Sequence, residues 1–226
     1  MLPILRLHRC GGRSAERLDC LAVYHAHGCG RAGPGTLTIW LLRHAESEWN
    51  AAGRWQGHGD PPLSFAGRTA AAARAESVAQ RVAAGRPLAL FSSDLRRAIE
   101  TAEFVARVLD IQVSPLADLR ELDVGAWTGL KREEIEAKDP DTLAAFETED
   151  PDVRPGGAES RGEIRVRART AVEALASRNP DADLVLVVHL GFMRALVPGA
   201  EPDHLDLLAT DLEAIRRARP LAVGPE

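Results

Sequence analysis

The chain has 226 residues, of which 45% are apolar, and it carries a formal net charge of −5 at pH 7. A chain of this length fits one medium-sized domain whose core needs no disulfide or structural metal. The slight acidic excess excludes a strongly basic nucleic-acid or membrane surface, and no apolar stretch is long enough to span a bilayer.

Residues 1–35 are expected to form a poorly ordered leader, and residues 36–226 the folded domain. The three cysteines, Cys10, Cys20 and Cys29, all lie in the leader without a C-x2-C pair, so no metal site is expected there. Charged residues interrupt the N-terminal apolar stretch, which argues against a secretory signal and predicts a cytoplasmic protein.

Apolar periodicity predicts that strands and helices alternate along the folded domain. Strands are predicted at 36–42, 87–92, 111–115 and 184–188. Helices are predicted at 63–84, 93–110 and 164–177. Ser64 is the expected N-cap of the first helix, and Ser93 or Asp94 that of the second.

Two segments have a less regular pattern. Asp, Pro and Gly are frequent over 139–157, which indicates a loop or lid with a short helix around 143–146. After Arg194 we find no convincing strand. The pattern there predicts an amphipathic helix through Leu205, Leu208, Leu212 and Ile215.

Alternating strands and helices indicate an α/β fold, a three-layer α/β/α sandwich around a mostly parallel sheet. Ligands of such sheets bind beyond the carboxyl ends of the strands. Arg43 and His44 follow the first predicted strand, Arg97 lies shortly after the second, and His189 follows the last. We therefore expect these four side chains to lie close together.

Five short blocks stand in order along the chain. They are R-H-A-E-S at 43–47, Q-G-H-G-D-P-P-L-S at 56–64, S-S-D-L-R-R-A at 92–98, L-R-E at 119–121 and H-L-G at 189–191. Together they resemble the histidine phosphatase superfamily, which includes the cofactor-dependent phosphoglycerate mutases. The resemblance implies a phosphoglycerate mutase-like fold and a metal-independent phosphohydrolase that needs no cofactor.

The residue types suit chemistry on a phosphate ester. Guanidinium groups neutralise phosphoryl oxygens with paired N–H donors, and Arg43 and Arg97 are the candidates, with Arg96 as the rival of Arg97. A neutral imidazole is a competent nucleophile toward phosphorus. We expect the flanking arginines to lower the pKa of His44 and to keep its ring unprotonated at neutral pH.

His189 is expected to be a second, cationic clamp on the phosphoryl oxygens. By resemblance, Glu121 is the general acid that protonates the leaving group and then the base that activates water. Glu133 and Glu134 are its rivals, and we expect them on the solvated face of a charged helix.

Three further residues are candidate substrate contacts. Asn50 and Gln56 offer neutral hydrogen bonds, and Leu190 offers its backbone N–H, provided that its φ is negative. The superfamily usually has Gly at the position of Leu190. His58 and His204 are assigned to structural or surface positions.

The favoured function is hydrolysis of a small phosphorylated metabolite through a phosphohistidine intermediate. A mutase of this family has a basic insertion between the acid and the second histidine, whereas this chain has an acidic stretch at 133–152. Leu190 and the unusual C-terminus keep a third reading open, a non-catalytic phosphate-binding module. We expect neither a nucleic-acid nor a membrane partner, and a homodimer stays open.

Overall fold

The structure is a computed structural model and describes residues 36–83 and 85–218; the predicted leader and its cysteines lie outside the described residues. A single sheet has five strands: β1 (Ile39–Arg43), β2 (Leu88–Ser93), β3 (Val113–Leu116), β4 (Asp183–Val188) and β5 (Leu207–Thr210). Their spatial order is β3-β2-β4-β1-β5. All neighbours are parallel except β5, which pairs antiparallel with β1.

The helices of the described residues fill the connections between strands. They are α1 (Glu48–Ala51), α2 (Phe65–Val82), α3 (Arg96–Leu109), α4 (Arg132–Lys138), α5 (Pro140–Glu147), α6 (Arg161–Arg178), α7 (Leu190–Leu196) and α8 (Leu212–Arg217). Short 3-10 helices lie at Ala117–Leu119, Gly125–Trp127 and Pro155–Gly157.

The alternating side chains of β4 build the two halves of the core. Leu184, Leu186 and Val188 belong to the larger apolar cluster, which includes residues of α6, α7 and α8. Val185 and Val187 pack in the other cluster, with residues of α2 and α3. The sheet therefore separates two helical layers, and the predicted three-layer sandwich is confirmed.

The C-terminal prediction is wrong, because the segment expected to be one helix contains a strand. β5 pairs with β1 from Ile39↔Thr210 to Leu42↔Leu207, and α8 begins only after Asp211, whose carboxylate accepts a hydrogen bond from Ala214 N at 2.8 Å. The apolar pattern resembles that of a helix because helical layers cover both faces of β5. Leu207 and Leu208 point to opposite clusters, so adjacent apolar residues are both buried.

The predicted caps of the first two long helices have different outcomes. Ser64 caps α2 as predicted, since its hydroxyl accepts a hydrogen bond from Gly67 N. Ser93 and Asp94 do not cap α3, which begins after Leu95. The Asp94 carboxylate is bound by the Arg120 guanidinium at 2.6 and 2.7 Å and is not available to the helix.

Candidate active site

Two histidines lie side by side where β1 and β4 end. The two strands are parallel neighbours, and His44 N donates a hydrogen bond to Val188 O at 3.0 Å. His44 directly follows β1 and His189 directly follows β4, and the centroids of their rings lie 5.0 Å apart. Their exposed fractions are only 3% and 0%. Strand pairing thus holds both imidazoles in a buried pair.

The hydrogen bond of the His44 ring selects its reactive nitrogen. Nδ1 lies 2.7 Å from the carbonyl oxygen of Ala45. A carbonyl oxygen only accepts, so Nδ1 must carry the hydrogen. In a neutral ring the lone pair is then on Nε2. Burial, followed by the charge of Arg97, lowers the pKa of His44 well below its ordinary value, so the neutral form prevails at pH 7.

Arg97 is fixed at the start of α3 with no exposed surface. Its terminal nitrogens donate to the carbonyl oxygens of Gly59 at 2.7 Å and Gly57 at 3.0 Å. Burial lowers its pKa to about 10, which still leaves the guanidinium charged at pH 7. Arg96 instead lies at the surface and pairs with Glu100, so only Arg97 contributes a buried charge.

Arg43 lies at the end of β1 and is partly buried. One terminal nitrogen donates to Pro202 O at 2.8 Å. Burial lowers the pKa of Arg43, and the nearby charge of Glu121 opposes that shift. The guanidinium is therefore a fixed positive charge, which itself helps to lower the pKa of His44.

The structure does not support a cationic His189 in the unliganded protein. Burial, then the charges of Arg97 and His44, lower the pKa of His189 well below its ordinary value. Both ring nitrogens are buried and have no hydrogen-bond partner among the described residues. The ring is therefore neutral, and it becomes a cation only if an arriving anion compensates the nearby positive charges.

Glu121 approaches the N-terminus of α7. Its carboxylate oxygens accept hydrogen bonds from Leu122 N at 2.8 Å and Gly191 N at 3.2 Å. Gly191 makes this approach feasible, because a Cβ there would lie 2.3 Å from Glu121 Oε1. The rival candidates Glu133 and Glu134 are exposed on α4, as the charged-helix pattern predicts.

The backbone of Glu121 is held by two side chains outside the predicted site. His58 Nε2 donates to the Glu121 carbonyl at 2.9 Å, and Arg167 donates to the same oxygen at 3.1 Å. Arg167 also binds the carbonyls of Asp118 and Arg120. The sequence offers no signal for these contacts, because His58 and Arg167 are far from residue 121 along the chain.

Asn50 and Gln56, the two predicted neutral substrate contacts, both form hydrogen bonds with Ser47. Asn50 Oδ1 accepts from Ser47 N at 3.1 Å and completes the cap of α1. The Ser47 hydroxyl donates to Gln56 Oε1 at 2.6 Å. Asn50 and Gln56 therefore stabilise the segment that follows His44. Leu190 is the first residue of α7 and is not among the residues with positive φ, so its N–H is presented without strain.

His204 is a third imidazole that sequence reasoning placed outside the site. Its ring centroid lies 5.6 Å from that of His44, and its Nε2 is buried without a partner among the described residues. Burial lowers its pKa to about 4. The loop that carries it is bonded to β1 through Leu205 N and Arg43 O at 3.1 Å. Only the unpredicted pairing of β5 brings His204 to the site.

A cavity of about 440 Å³ adjoins these groups. Gly57, Glu121, Leu190 and Gly191 line it, and each is bonded or adjacent to a catalytic candidate. Most of the remaining wall is apolar, and three arginines and the carboxylates of Glu149 and Glu201 also line it. A volume of this size fits a small organic ligand rather than inorganic phosphate alone.

Within residues 36–83 and 85–218, no cluster of three or more His, Cys, Asp or Glu side chains is arranged to hold a metal ion. None of the helices in the same part of the chain is long and apolar enough to cross a membrane.

Comparison with known proteins gives consistent matches. The family model for the histidine phosphatase superfamily (branch 1) matches residues 39–217. A metal-independent phosphoserine phosphatase from Arabidopsis thaliana is 37% identical over 160 residues, which cover 70% of this chain and 66%, just under two thirds, of that protein. A glucosyl-3-phosphoglycerate phosphatase from Mycobacterium tuberculosis is 37% identical over 164 residues, which cover 69% of this chain and 71% of that one.

Solved structures agree with this relationship. The structure of a mycobacterial glucosyl-3-phosphoglycerate phosphatase in complex with VO3 has a TM-score of 0.64 and 37% identity to this chain. The alignment covers 71% of this chain and 80% of that one.

Proposed function

Because the chain belongs to the histidine phosphatase superfamily, branch 1, we propose that it hydrolyses small phosphomonoesters through a covalent phosphohistidine on His44. One observation carries the proposal. The four residues that lie near His44 or act on its charge all have buried nitrogens without partners among the described residues: Arg43 Nε, Arg97 Nε, both ring nitrogens of His189, and His204 Nε2. Each unsatisfied buried polar group costs about 1–3 kcal/mol. A phosphoryl group supplies acceptors for the two guanidinium nitrogens and for the one N–H of each neutral imidazole.

The first step transfers the phosphoryl group to the protein. His44 Nε2 attacks phosphorus, an N–P bond forms and the bond from phosphorus to the ester oxygen breaks. The leaving alkoxide takes a proton from the Glu121 carboxyl group, which becomes a carboxylate. Glu121 suits this role because it lines the cavity that receives the alcohol.

The second step regenerates the protein. The Glu121 carboxylate takes a proton from a water molecule, whose oxygen attacks phosphorus while the N–P bond breaks. Inorganic phosphate leaves, His44 returns to its neutral form and Glu121 is again protonated. During both displacements the fixed charges of Arg43 and Arg97 and the hydrogen bonds of His189 stabilise the phosphoryl oxygens.

Turnover of p-nitrophenyl phosphate in the presence of EDTA tests this proposal. We expect chelator-insensitive hydrolysis by the wild type and none by His44→Ala. Rapid quenching should trap a phosphoryl group that is labile to acid and stable to base, as expected for phosphohistidine. Activity retained in His44→Ala, or a phosphoryl group trapped on another residue, would contradict the mechanism.

Mutase activity is the alternative, since transfer from phosphohistidine to a second hydroxyl uses the same groups. The sequence disfavours it, because an acidic stretch at 133–152 stands between the general acid and the second histidine, where the mutases of the superfamily have a basic insertion. Incubation with 3-phosphoglycerate and bisphosphoglycerate separates the two activities, since a hydrolase releases inorganic phosphate and a mutase forms 2-phosphoglycerate. A cytoplasmic location and the oligomeric state stay predictions of the sequence.

A further inference from the structure

The wall of the cavity away from Glu121, which we call the outer wall, carries guanidinium groups that hydrolysis of the phosphate does not require. Arg161 and Arg194 line the cavity together with Glu121, Leu190 and Gly191. Burial lowers the pKa of Arg161, the charge of Glu149 opposes that shift, and the charge of Arg194 adds to it, which is consistent with two guanidiniums facing the same space. Arg194 lies on α7, whose first turn contacts Glu121, so the inner site and the outer charges share one helix.

Arg161 is held rigidly with part of its donor capacity unused. Its guanidinium lies 4.0 Å from the ring centroid of Phe146, and one terminal nitrogen donates to Phe146 O at 3.1 Å. Its side chain is 26% exposed. The Nε is buried and has no hydrogen-bond partner among the described residues. A guanidinium fixed in this way is pre-organised to bind an anion.

The carboxylates that face these arginines are weakly held. Glu149 lies 3.8 Å from Arg161 and is 48% exposed, and Glu201 pairs with Arg194 and is 66% exposed. Exposed ion pairs contribute at most about 1 kcal/mol. An anion that enters the cavity can therefore replace either carboxylate at little cost.

We propose that the substrate of this chain carries a second anionic group, such as a carboxylate, on the alcohol that it releases, and that Arg161 and Arg194 bind this group. The inference rests on the proposed function. With phosphorus at His44 and the ester oxygen at Glu121, the released alcohol extends into the cavity. Its carbon body packs against apolar side chains such as Leu122 and Val124, and its anion meets the guanidiniums. Arg161 is thereby a specificity residue rather than a catalytic one.

Matched pairs of phosphate esters test the proposal. 3-Phosphoglycerate and glycerol 3-phosphate differ in a carboxylate, and 4-carboxyphenyl and phenyl phosphate repeat the comparison on a longer, rigid body. We expect wild type to prefer the anionic member of at least one pair about tenfold in kcat/KM, mainly through KM. This is the factor expected for one charge-assisted hydrogen bond. Arg161→Gln should remove most of that preference, and Arg161→Lys should retain part of it.

Arg132→Gln is the matched control. Arg132 also binds a residue of α5, through Glu147 at 2.9 Å, but it does not line the cavity. The control variant should keep the wild-type preference. Because each variant is judged on a ratio between two esters, partial loss of folded protein does not change the result, and thermal melting of each variant reports stability separately.

Removing a competing carboxylate should have the opposite effect. Glu149→Gln frees the Arg161 guanidinium and should lower KM for the anionic ester about twofold to threefold, within the small range of an exposed ion pair. An anionic preference that is absent in wild type, or that survives in Arg161→Gln, overturns the inference while leaving hydrolysis intact. Failure of the proposed function looks different, because wild type would then hydrolyse none of the four esters, or His44→Ala would hydrolyse them equally.

Discussion

The inner phosphate site and the outer wall of the cavity hold positive charge in two different ways. At the inner site, Arg97 is 0% exposed and its Nε has no partner among the described residues. On the outer wall, the side chains of Arg161 and Arg194 are 26% and 34% exposed and already face carboxylates. The inner charge is fixed and awaits an oxyanion, whereas the outer charges can exchange partners with the solvent and the ligand.

This difference separates chemistry from selectivity. His44 and His189 follow directly from two paired strands, and Arg97 is held by the carbonyls of Gly57 and Gly59, so these groups are pre-organised for the transition state. The outer groups project from helix surfaces, where a substitution changes affinity without disturbing the core. Substitutions at the inner site should therefore change kcat strongly, and those on the outer wall should change KM and substrate preference.

After His44→Ala, the largest effect is expected from Arg97→Lys, which keeps the charge and removes the guanidinium geometry. A lysine cannot donate to both Gly57 O and Gly59 O while also facing the phosphoryl group, as the Arg97 nitrogens can. We expect kcat to fall about 100-fold to 1,000-fold, as for removal of one transition-state donor. The free energy of unfolding should fall by about 2 kcal/mol because a buried carbonyl loses its partner.

Steady-state kinetics and urea unfolding measure these two effects of Arg97→Lys. Arg96→Lys is the matched control, since Arg96 is exposed beside it. Equal loss of activity in both variants would contradict the distinction between a buried and a surface charge.

Gly191→Ala tests the boundary between the two regions, where Glu121 meets α7. The added Cβ would lie 2.3 Å from Glu121 Oε1, so the carboxyl group must move. A displaced general acid should slow the release of a poor leaving group such as an alkyl alcohol by about tenfold to 100-fold. p-Nitrophenyl phosphate should be affected less, because its leaving group needs little protonation.

Comparing kcat for glycerol 3-phosphate and p-nitrophenyl phosphate in Gly191→Ala measures this effect. Gly85→Ala is the control, because nothing lies within 4 Å of the Cβ that would be added there. If Gly191→Ala slows both esters to the same extent, Glu121 is not the acid.

Low pH should destabilise the folded protein through the three histidines of the inner site. The pKa values of His44 and His189 are lowered well below their ordinary value, and that of His204 is lowered to about 4. As the pH falls below about 6.5, the unfolded chain binds protons that these folded rings do not bind. The free energy of unfolding must therefore decrease with falling pH through this window.

Thermal melting between pH 7 and pH 4 measures the loss. His204→Gln removes one of the three groups, and we expect the decrease in the free energy of unfolding across this range to be about 1 kcal/mol smaller than in wild type, given the partial exposure of His204. Parallel curves for the two proteins would mean that His204 titrates alike in the folded and unfolded chain.

Sequence reasoning recovered the inner region well because its determinants are local. Each buried strand is a continuous apolar run, and parallel strands end at one edge of the sheet, so Arg43, His44, Arg97 and His189 were predicted to be neighbours. In the structure the rings of His44 and His189 are in contact, and the charge of the buried Arg97 acts on His44. The prediction that Ser64 caps α2 is confirmed for the same reason, since the capping hydrogen bond joins residues only three apart in the sequence.

What the sequence did not indicate depends on long-range contacts. His204 reaches His44 only through β5, whose antiparallel pairing with β1 has no local signature. Arg167 binds three carbonyls around residue 120 from the middle of a charged helix, and nothing in its own neighbourhood distinguishes it from a solvated arginine. The outer wall also depends on long-range contacts, since the proposed role of Arg161 arises only from the cavity that it lines.

The smallest effect is expected from Leu190→Gly, which restores the residue usual in the superfamily. The structure presents the backbone N–H of Leu190 in the first turn of α7 without a positive φ, so that N–H is available with either residue. We therefore expect kcat to be unchanged within about twofold, while KM for phenyl phosphate rises about threefold because an apolar part of the cavity wall is lost. Initial-rate measurements at varied phenyl phosphate concentration separate the two parameters. A large increase in kcat would show instead that the leucine obstructs the phosphoryl group, and Leu190 would then belong to the inner site rather than to the wall.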